Sequence, residues 1–333
     1  MLPRGRPAAA VTLVVIAVVA LVALGLVMAT QVSDATSFHV KDPSIGPKGA
    51  LVMFPSDYAK LSAHVLQLIN TARAEVGVPP VALSTEPSGQ QHADSMLYFG
   101  YFSHWDVQGY KPYMRYSLVN GSSAVFENVG WSHFPTQLFF GTSSALSGVD
   151  NLHYEMMYDD AFDGWGHRTT ILDPNHNAVS IGVAYNTTDL YLVEDFQNNY
   201  GNLTASFQAS SGIVNITGTL VPDTDPVVVQ VYYDPPLKQV SPFQLMTDAN
   251  YTGPYTPGTD AGTVFPTCSV YCPAKTGPVG VSADVWNQTG GLSISFSIHD
   301  FVAAMGPGVF TLYVENRTGT VLTSLSVFVD AQG

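Results

Sequence analysis

One stretch near residue 60 places apolar residues at helical intervals. In SDYAKLSAHVLQLINTARAEVGVPP, the residues on this apolar face are Leu61, Val65, Leu68, Ala72 and Val76. Ser56 and Asp57 are candidate N-caps, and Gly77, Pro79 and Pro80 end the run. The pattern predicts an amphipathic helix that buries one face.

Two further helices and two strands are predicted before residue 200. The helices extend from about Glu86 through QQHADSMLYFGYF and from about Ser144 through ALSGVDNLHYEMMYDD. The short apolar runs SIGVAYN and LYLVEDFQ are bounded by turn residues, which is typical of strands. Helices and strands therefore mix in this part of the chain.

The pattern changes after residue 200 to short β-type runs. Examples are GIVNITGTLV, PVVVQVYYD, LSISFSI and VLTSLSVFVD, which are separated by Gly, Pro and Asn turns. This spacing predicts an all-β, antiparallel sandwich of immunoglobulin-like architecture at residues 211–333. Residues 201–210 are the predicted linker.

The N-terminal stretch predicts export. Arg4 and Arg6 precede an uncharged, almost wholly apolar run over residues 8–30. This length matches the ~20 residues that cross a bilayer and exceeds the ~7–15 residues of a usual signal-peptide core. We expect a transmembrane signal anchor, or alternatively a cleaved signal peptide, at residues 1–30 and a spacer at 31–55. The positive-inside rule then makes this a single-pass cell-membrane protein with an extracellular bulk, or a secreted one.

The charge and the sequons agree with an exterior location. With 12 Lys and Arg against 26 Asp and Glu, the formal net charge is −14, which excludes nucleic acid as a partner because such binding needs clustered cations. Seven asparagines stand in glycosylation sequons: Asn120, Asn186, Asn202, Asn215, Asn250, Asn287 and Asn316. Cys268 and Cys272 are the only cysteines, and their spacing predicts a local disulfide.

The candidate functional residues are histidines and carboxylates from separate segments of the chain. His104 lies in YFSHWD, Glu127 in VFENVG, and His167 in GHRTTIL, while Glu155 and Asp159 are one helical turn apart. Residues of these types that converge in one cleft can ligate a divalent metal or act as acid and base.

The order of these motifs resembles that of the CAP superfamily, whose SCP domains include the cysteine-rich secretory, antigen 5 and pathogenesis-related proteins. The matching segments are LINTARAEVGVPPVAL, HADSMLYFGYFSHWDVQGYKPYMRY, ENVG, GHRTTIL, SIGVAY and VEDFQ. The resemblance covers residues 56–200 and implies an α-β-α sandwich. The predicted fold class is therefore α+β, with this CAP domain followed by the β-sandwich.

In that family a central cleft is lined by two histidines and two acidic residues, which in some members bind zinc or another divalent cation. By this resemblance His104 and His167 are the histidines and metal ligands, and Glu127 is the first acid. Glu155 completes the tetrad by its helical face, with Asp159 as the alternative. The scarcity of cysteine, the acidic surface and the sequons fit a prokaryotic, archaeal envelope member.

Several other residues carry weaker expectations. His92 is expected to face solvent, and His153 either neighbours the cleft or points outward. Arg115 and Arg168 are expected to form internal ion pairs with carboxylates. Ser103 lacks the surrounding motif of a nucleophile.

Three functions remain open from the sequence. The favoured one is a cell-surface binding module whose cleft holds a metal or a small ligand and whose β-sandwich contacts a surface partner. The second is a metal-dependent, peptidase-like hydrolase in which Glu127 or Glu155 acts as base. The third is a structural envelope protein with the polar tetrad as a satisfied network.

Overall fold

The computed structural model describes residues 55–136, 141–221, 224–266 and 277–329. The predicted anchor at 1–30, Cys268 and Cys272 lie outside these residues. Among the helices that are described, none is both long and apolar enough to cross a membrane.

The first part of the chain is a mixed α and β domain. Its helices are α1 (Pro55–Glu75), α2 (Ser88–Phe99), α3 (Pro112–Leu118), α4 (Thr142–Tyr158) and α5 (Gly166–Leu172), with a 3-10 turn at Ala161–Asp163. Its strands are β1 (Ala82–Leu83), β2 (Ala124–His133), β3 (Ala178–Tyr185) and β4 (Asp189–Asn198). They form one sheet in the order β1-β3-β4-β2, in which only β1 and β3 pair in parallel. β2 is therefore an edge strand.

Helices pack on both faces of this sheet. The side chains of β3 and β4 are accordingly buried on both faces. Val179, Ile181 and Val183 of β3 share an apolar core with α1, α4 and α5. On the other face α2 packs closely, and the Gly89 N–H donates to Ser180 Oγ at 3.2 Å. Residues that alternate along one strand thus face different helices.

The apolar stripe of α1 differs from the prediction at its end. Leu61, Val65 and Ala72 are buried as expected, but between Val65 and Ala72 the fully buried residue is Ile69 rather than Leu68. Val76 lies beyond the helix and is 51% exposed. The helix begins at Pro55, so Ser56 and Asp57 belong to its first turn and are not N-caps.

The second part of the chain contains two further sheets. Its strands are β5 (Gly201–Gln208), β6 (Ile213–Leu220), β7 (Pro226–Asp234), β8 (Thr259–Phe265), β9 (Val279–Ser282), β10 (Val285–Asn287), β11 (Leu292–Ser297), β12 (Gly308–Asn316) and β13 (Val321–Val329). The sheets have the orders β10-β11-β6-β5 and β13-β12-β7-β8-β9, and both contribute to one apolar core. All pairs are antiparallel except β8 with β9. Short helices α6 (Pro242–Thr247) and α7 (His299–Met305) interrupt the strands, which the sequence did not predict.

The predicted linker at 201–210 is largely a strand. β5 pairs antiparallel with β6 along its whole length. Leu203 is buried, and Ala205 and Phe207 pack on the core, so every second residue faces inward. The prediction missed this strand because its outward residues are polar and one of its three inward residues is the small Ala205, so residues 201–208 contain few large apolar side chains.

An apolar cluster joins the two domains. Tyr113, Met114 and Val125 of the first domain pack with Val309 of β12. Tyr113 Oη also donates to Asp234 Oδ2 at 2.7 Å. The domains therefore share buried contacts as well as a chain connection.

Candidate functional site

A cleft of about 840 Å³ lies along the edge strand β2. We call it the central cleft. The first domain lines it with Phe102, His104, Glu127, Asn128, Trp131 and His167. The C-terminal domain lines it with Met246, Thr252, Gly253, Pro254, Tyr255, Pro257 and Tyr313. The site is thus built by both domains.

The turn after α2 places His104 in the cleft. Gly100 ends the helix in the left-handed conformation, with a φ of 69°, which glycine adopts without steric cost. Ser103 Oγ then accepts a hydrogen bond from the Trp105 N–H at 3.0 Å. This local turn fixes the backbone on both sides of His104, whose side chain is 13% exposed.

Glu127 is the centre of a buried network. Its Oε1 lies 2.9 Å from His104 Nδ1, and its Oε2 lies 2.8 Å from His92 Nδ1 and 2.6 Å from Arg115 Nη2. Its backbone N–H donates to Tyr255 Oη at 2.9 Å. Both carboxylate oxygens are therefore occupied. We call His92, His104, Arg115 and Glu127 the Glu127 network.

Electrostatics keep Glu127 ionised. Burial by itself raises the pKa of this carboxyl group, but the charge of Arg115 and the hydrogen bonds from both histidines outweigh burial and hold the pKa of Glu127 well below its usual range. An ionised carboxylate only accepts hydrogen bonds, so His104 Nδ1 carries the proton. Its Nε2 has no hydrogen-bond partner among the described residues.

His167 has a similar arrangement with a different acid. Its Nδ1 lies 2.6 Å from Asp160 Oδ1, and Asp160 Oδ2 accepts from the Arg168 backbone N–H at 3.1 Å. Asp160 is buried, while the His167 side chain is 23% exposed. Asn128 Nδ2 donates to the His167 carbonyl at 3.2 Å and so ties α5 to β2.

Glu155 and Asp159 do not take the predicted place of the second acid. Both are exposed, and neither is among the described residues that line the central cleft. The acid that contacts His167 is Asp160. The prediction followed the face of α4, but the helix ends at Tyr158 and the chain turns before it reaches Asp160.

His92 and His153 are both buried, so the expectation that His92 faces solvent is wrong. Burial, followed by the charge of Arg115, lowers the pKa of His92 to about 4, so this imidazole is neutral at pH 7. His153 Nδ1 lies 3.8 Å from Glu194 Oε1 on the other face of the sheet. The sequence held a signal for His92, because it shares the buried face of α2 with Met96 and Phe99 at helical spacing.

Aromatic residues of the C-terminal domain complete the surroundings of His104. The Tyr255 ring centroid lies 4.9 Å from that of His104, and Tyr251 packs edge-on against Trp105 at 5.8 Å. Ser103 Oγ donates to the Tyr251 carbonyl at 2.7 Å, so this serine is a positioning group between domains. Sequence analysis missed Tyr255 because no local pattern links a loop residue to a partner more than 120 positions away.

The two arginines have different partners. Arg115 forms the predicted internal ion pair, with Glu127. Arg168 has no carboxylate partner for its side chain among the described residues, and its Nη1 instead donates to the Met157 carbonyl at 2.6 Å. The prediction is therefore right for Arg115 and wrong for Arg168.

A small acidic group lies beside His167. Asp160, Asp163 and His167 each place one ligand-type atom within 4.8 Å of the others. Asp160 is buried and accepts hydrogen bonds at both oxygens, whereas Asp163 is exposed, so Asp163 is the carboxylate of this group that a further partner reaches from solvent.

All seven sequon asparagines lie in described parts of the chain, and none is buried. Four are exposed: Asn120, Asn202, Asn250 and Asn287. Three are half-buried: Asn186, Asn215 and Asn316. Their positions leave each side chain within reach of solvent.

Comparison with known proteins identifies the first domain. Residues 66–196 match the model of the cysteine-rich secretory protein family, CAP. No curated protein sequence matches the chain.

Two solved structures are similar to it. One is an extracellular protein containing an SCP domain from Bacillus anthracis str. Ames, with 16% identity, 45% coverage of each chain and a TM-score of 0.32. The other is the CAP domain of Enterococcal PrgA, with 13% identity, 43% coverage of this chain, 63% of that chain and a TM-score of 0.33. The matched region spans less than two thirds of the length of either protein.

Proposed function

We propose that this protein is an exported CAP-domain protein whose central cleft binds a divalent cation together with a small ligand. The orientation of the two cleft imidazoles carries the proposal. His104 Nδ1 and His167 Nδ1 each contact a buried carboxylate, and neither Nε2 has a hydrogen-bond partner among the described residues. Both imidazoles line the same cleft.

The donor types suit zinc or a similar cation. Asp163 and His167 already belong to a group whose ligand atoms lie within 4.8 Å of one another, and His104 would have to approach that group to share an ion. In metal sites the ligating histidine commonly donates its other ring N–H to a carboxylate, which fixes the tautomer and raises the basicity of the ligating nitrogen. Glu127 and Asp160 have this role here, so we expect His104 Nε2 and His167 Nε2 as ligands and Asp163 as an added oxygen ligand. A zinc ion with an open position would supply Lewis acidity to whatever the cleft binds.

The cleft wall suggests the character of the small ligand. Its volume of about 840 Å³ falls within the usual ~300–1,000 Å³ of ligand pockets. Phe102, Trp131 and Tyr255 offer aromatic surface, whereas Asn128 and the two imidazoles offer the polar contacts. A largely apolar molecule with one metal-binding polar group suits this lining.

The hydrolase reading has less support. A general base works best with a pKa near the working pH, and the pKa of Glu127 is held well below its usual range. The other proposed base, Glu155, is exposed and lies away from the cleft. The Glu127 network holds His104 through Nδ1 and supports it as a fixed ligand. The structural reading, in which every polar atom is satisfied, has less support because buried His92 Nε2 has no hydrogen-bond partner in the described chain.

The location and the second domain complete the proposal. The apolar run at residues 8–30 after Arg4 and Arg6 supports a membrane anchor with an extracellular bulk. The accessible sequons support glycosylation, and we retain the predicted disulfide of Cys268 and Cys272. We assign surface contact to the C-terminal β-domain, which we describe as immunoglobulin-like. Membrane fractionation of the full chain and of a chain without residues 1–30 tests the anchor; equal release of both chains would contradict it.

Calorimetric titration of the full-length, detergent-solubilised protein with zinc tests the cleft. We expect one saturable site that both His104→Ala and His167→Ala abolish. His299→Ala, an exposed histidine of α7, is the matched control and should bind as the wild type does. Binding that survives in both cleft variants, or no binding by a folded wild type, would refute a metal site in the central cleft.

A further inference from the structure

A second cavity lies on the surface of the first domain, where the end of α4 meets α5. It has a volume of about 820 Å³ and shares none of its lining residues with the central cleft. We call it the Arg168 groove. The residues that carry the argument are Tyr158, Trp165, Arg168, Thr169 and Asp173.

The Arg168 guanidinium lies over two aromatic rings in this groove. Its Cζ atom lies 5.9 Å from the Tyr158 ring centroid and 6.0 Å from the Trp165 ring centroid. Its Nη1 donates to the Met157 carbonyl at 2.6 Å, and Tyr158 Oη donates to Glu75 at 2.9 Å. The remaining guanidinium N–H groups have no carboxylate partner among the described residues. A fixed guanidinium fork of this kind suits a planar anion.

The backbone of Trp165 is in a strained conformation. Its φ is 63° and its ψ is 28°, the left-handed region that side chains other than Asn, Asp and Gly rarely adopt. The only other such non-glycine residue in the described chain is Asn120, whose type tolerates the region. Trp165 is also 41% exposed, so burial offsets little of the strain. Strain retained at an exposed tryptophan beside a cavity points to a binding role.

We propose that the Arg168 groove binds the carboxylate-bearing ring of an acidic sugar, a uronate unit of a glycan. The Arg168 fork pairs with the carboxylate, and the edges and faces of Trp165 and Tyr158 pack against the sugar ring. Thr169 and Asp173 on the rim form hydrogen bonds with sugar hydroxyl groups. The negative charge of Asp173 disfavours a doubly charged ligand such as phosphate.

The charge of the whole chain favours a ligand with one isolated acid over a polyanion. The formal net charge is −14, so a densely charged polymer is repelled while a single carboxylate can reach one fixed cation. This site is independent of the metal proposed for the central cleft, and the two proposals can fail separately.

Calorimetric titration of the full-length protein with a glucuronate-terminated tetrasaccharide, at low salt, tests the groove. We expect saturable binding, at least about tenfold weaker for the glucose-terminated counterpart and for inorganic phosphate. Arg168→Lys keeps the charge but loses the fork, and we expect a loss of at least about tenfold.

Trp165→Gly is the decisive variant. Glycine tolerates the left-handed backbone, so this variant should unfold at the same temperature as the wild type or a higher one, while its affinity for the uronate falls at least about tenfold. Phe243→Ala removes an aromatic residue that is 75% exposed in the C-terminal domain, and it should bind as the wild type does. His104→Ala and His167→Ala should also keep uronate binding.

No binding by the wild type, equal binding of phosphate, or full affinity in Trp165→Gly would each overturn the proposal. Loss of uronate binding in His104→Ala would place the sugar in the central cleft instead and would overturn it as well.

Discussion

Glu127 on β2 and Asp195 on β4 are direct cross-strand partners, and both are buried. Arg115, His92 and His104 surround Glu127, whereas Asp195 accepts one hydrogen bond, from Ser88 Oγ at 2.5 Å. Burial, followed by the charge of Glu127, raises the pKa of Asp195 well above its usual range. Folding therefore shifts the pKa values of these two adjacent carboxyl groups in opposite directions, down for Glu127 and up for Asp195.

Asp195→Asn should stabilise the protein at neutral pH. A carboxyl group whose pKa is raised by folding stabilises the folded state below its unfolded pKa of about 3.9, and this stabilisation is lost as pH rises through the folded pKa. Asparagine resembles the protonated acid and does not titrate. The gain in unfolding free energy over the wild type should therefore grow from pH 4 towards pH 8, by about 1.4 kcal/mol for each unit by which folding raises the pKa.

Urea unfolding at intervals from pH 4 to pH 8 measures this difference. Asp284→Asn, on an exposed loop, controls for the loss of one charge. A variant that is less stable than the wild type at pH 8 would show that Asp195 is ionised in the folded protein.

Glu127→Gln should be strongly destabilising. The amide cannot balance the charge of Arg115, and it cannot accept all the hydrogen bonds of the Glu127 network. Removing one partner of a buried ion pair costs about 3–5 kcal/mol. The same substitution at exposed Glu155 should change the unfolding free energy by less than about 0.5 kcal/mol. Similar effects at both positions, measured by urea unfolding, would argue against a buried network at Glu127.

Tyr255→Phe should lower stability by about 1–2 kcal/mol, because it removes the acceptor of the Glu127 N–H and leaves the ring in place. Tyr251→Phe is the matched control, since its hydroxyl has no hydrogen-bond partner in the described chain and only its carbonyl contacts Ser103. Thermal unfolding of the two variants gives the comparison, and equal midpoints would count against the Tyr255 contact.

Two glycine substitutions should have opposite signs. A Cβ at Gly182 would overlap the carbonyl of Gly89, so Gly182→Ala forces α2 away from β3 and should cost at least about 1–3 kcal/mol. A Cβ at Gly166 meets no atom within 4 Å, and alanine favours the helix by about 0.5–1 kcal/mol. Chemical denaturation of both variants checks the order, and a stable Gly182→Ala would mean that α2 packs more loosely than described.

The sequence predicts the parts of the fold that depend on local periodicity. The helix stripe of Leu61, Val65 and Ala72 and the strands around Val183 are read from spacing alone. The strand at 201–208 was missed because its inward positions include the small Ala205. Short helices such as α6 depend on a capping box at Ser241 rather than on a long apolar face.

The candidate site was predictable only in part. Motif order pointed to His104, Glu127 and His167, and all three line one cleft. Asp160 was missed because its position depends on how the chain turns after α4. Tyr255 was missed because its contact with Glu127 forms only when the two domains pack.

Because the C-terminal domain supplies one wall of the central cleft, that wall can evolve separately from the polar residues of the first domain. Thr252, Gly253, Pro254 and Pro257 line the cleft without a hydrogen bond to the imidazoles or their buried carboxylates, so selection can change what the cleft accepts while Tyr255 and the polar centre stay constant. The two domains are for the same reason not exchangeable modules, because the first domain transplanted onto a different neighbour would keep His104 and lose the tyrosine that lies against it.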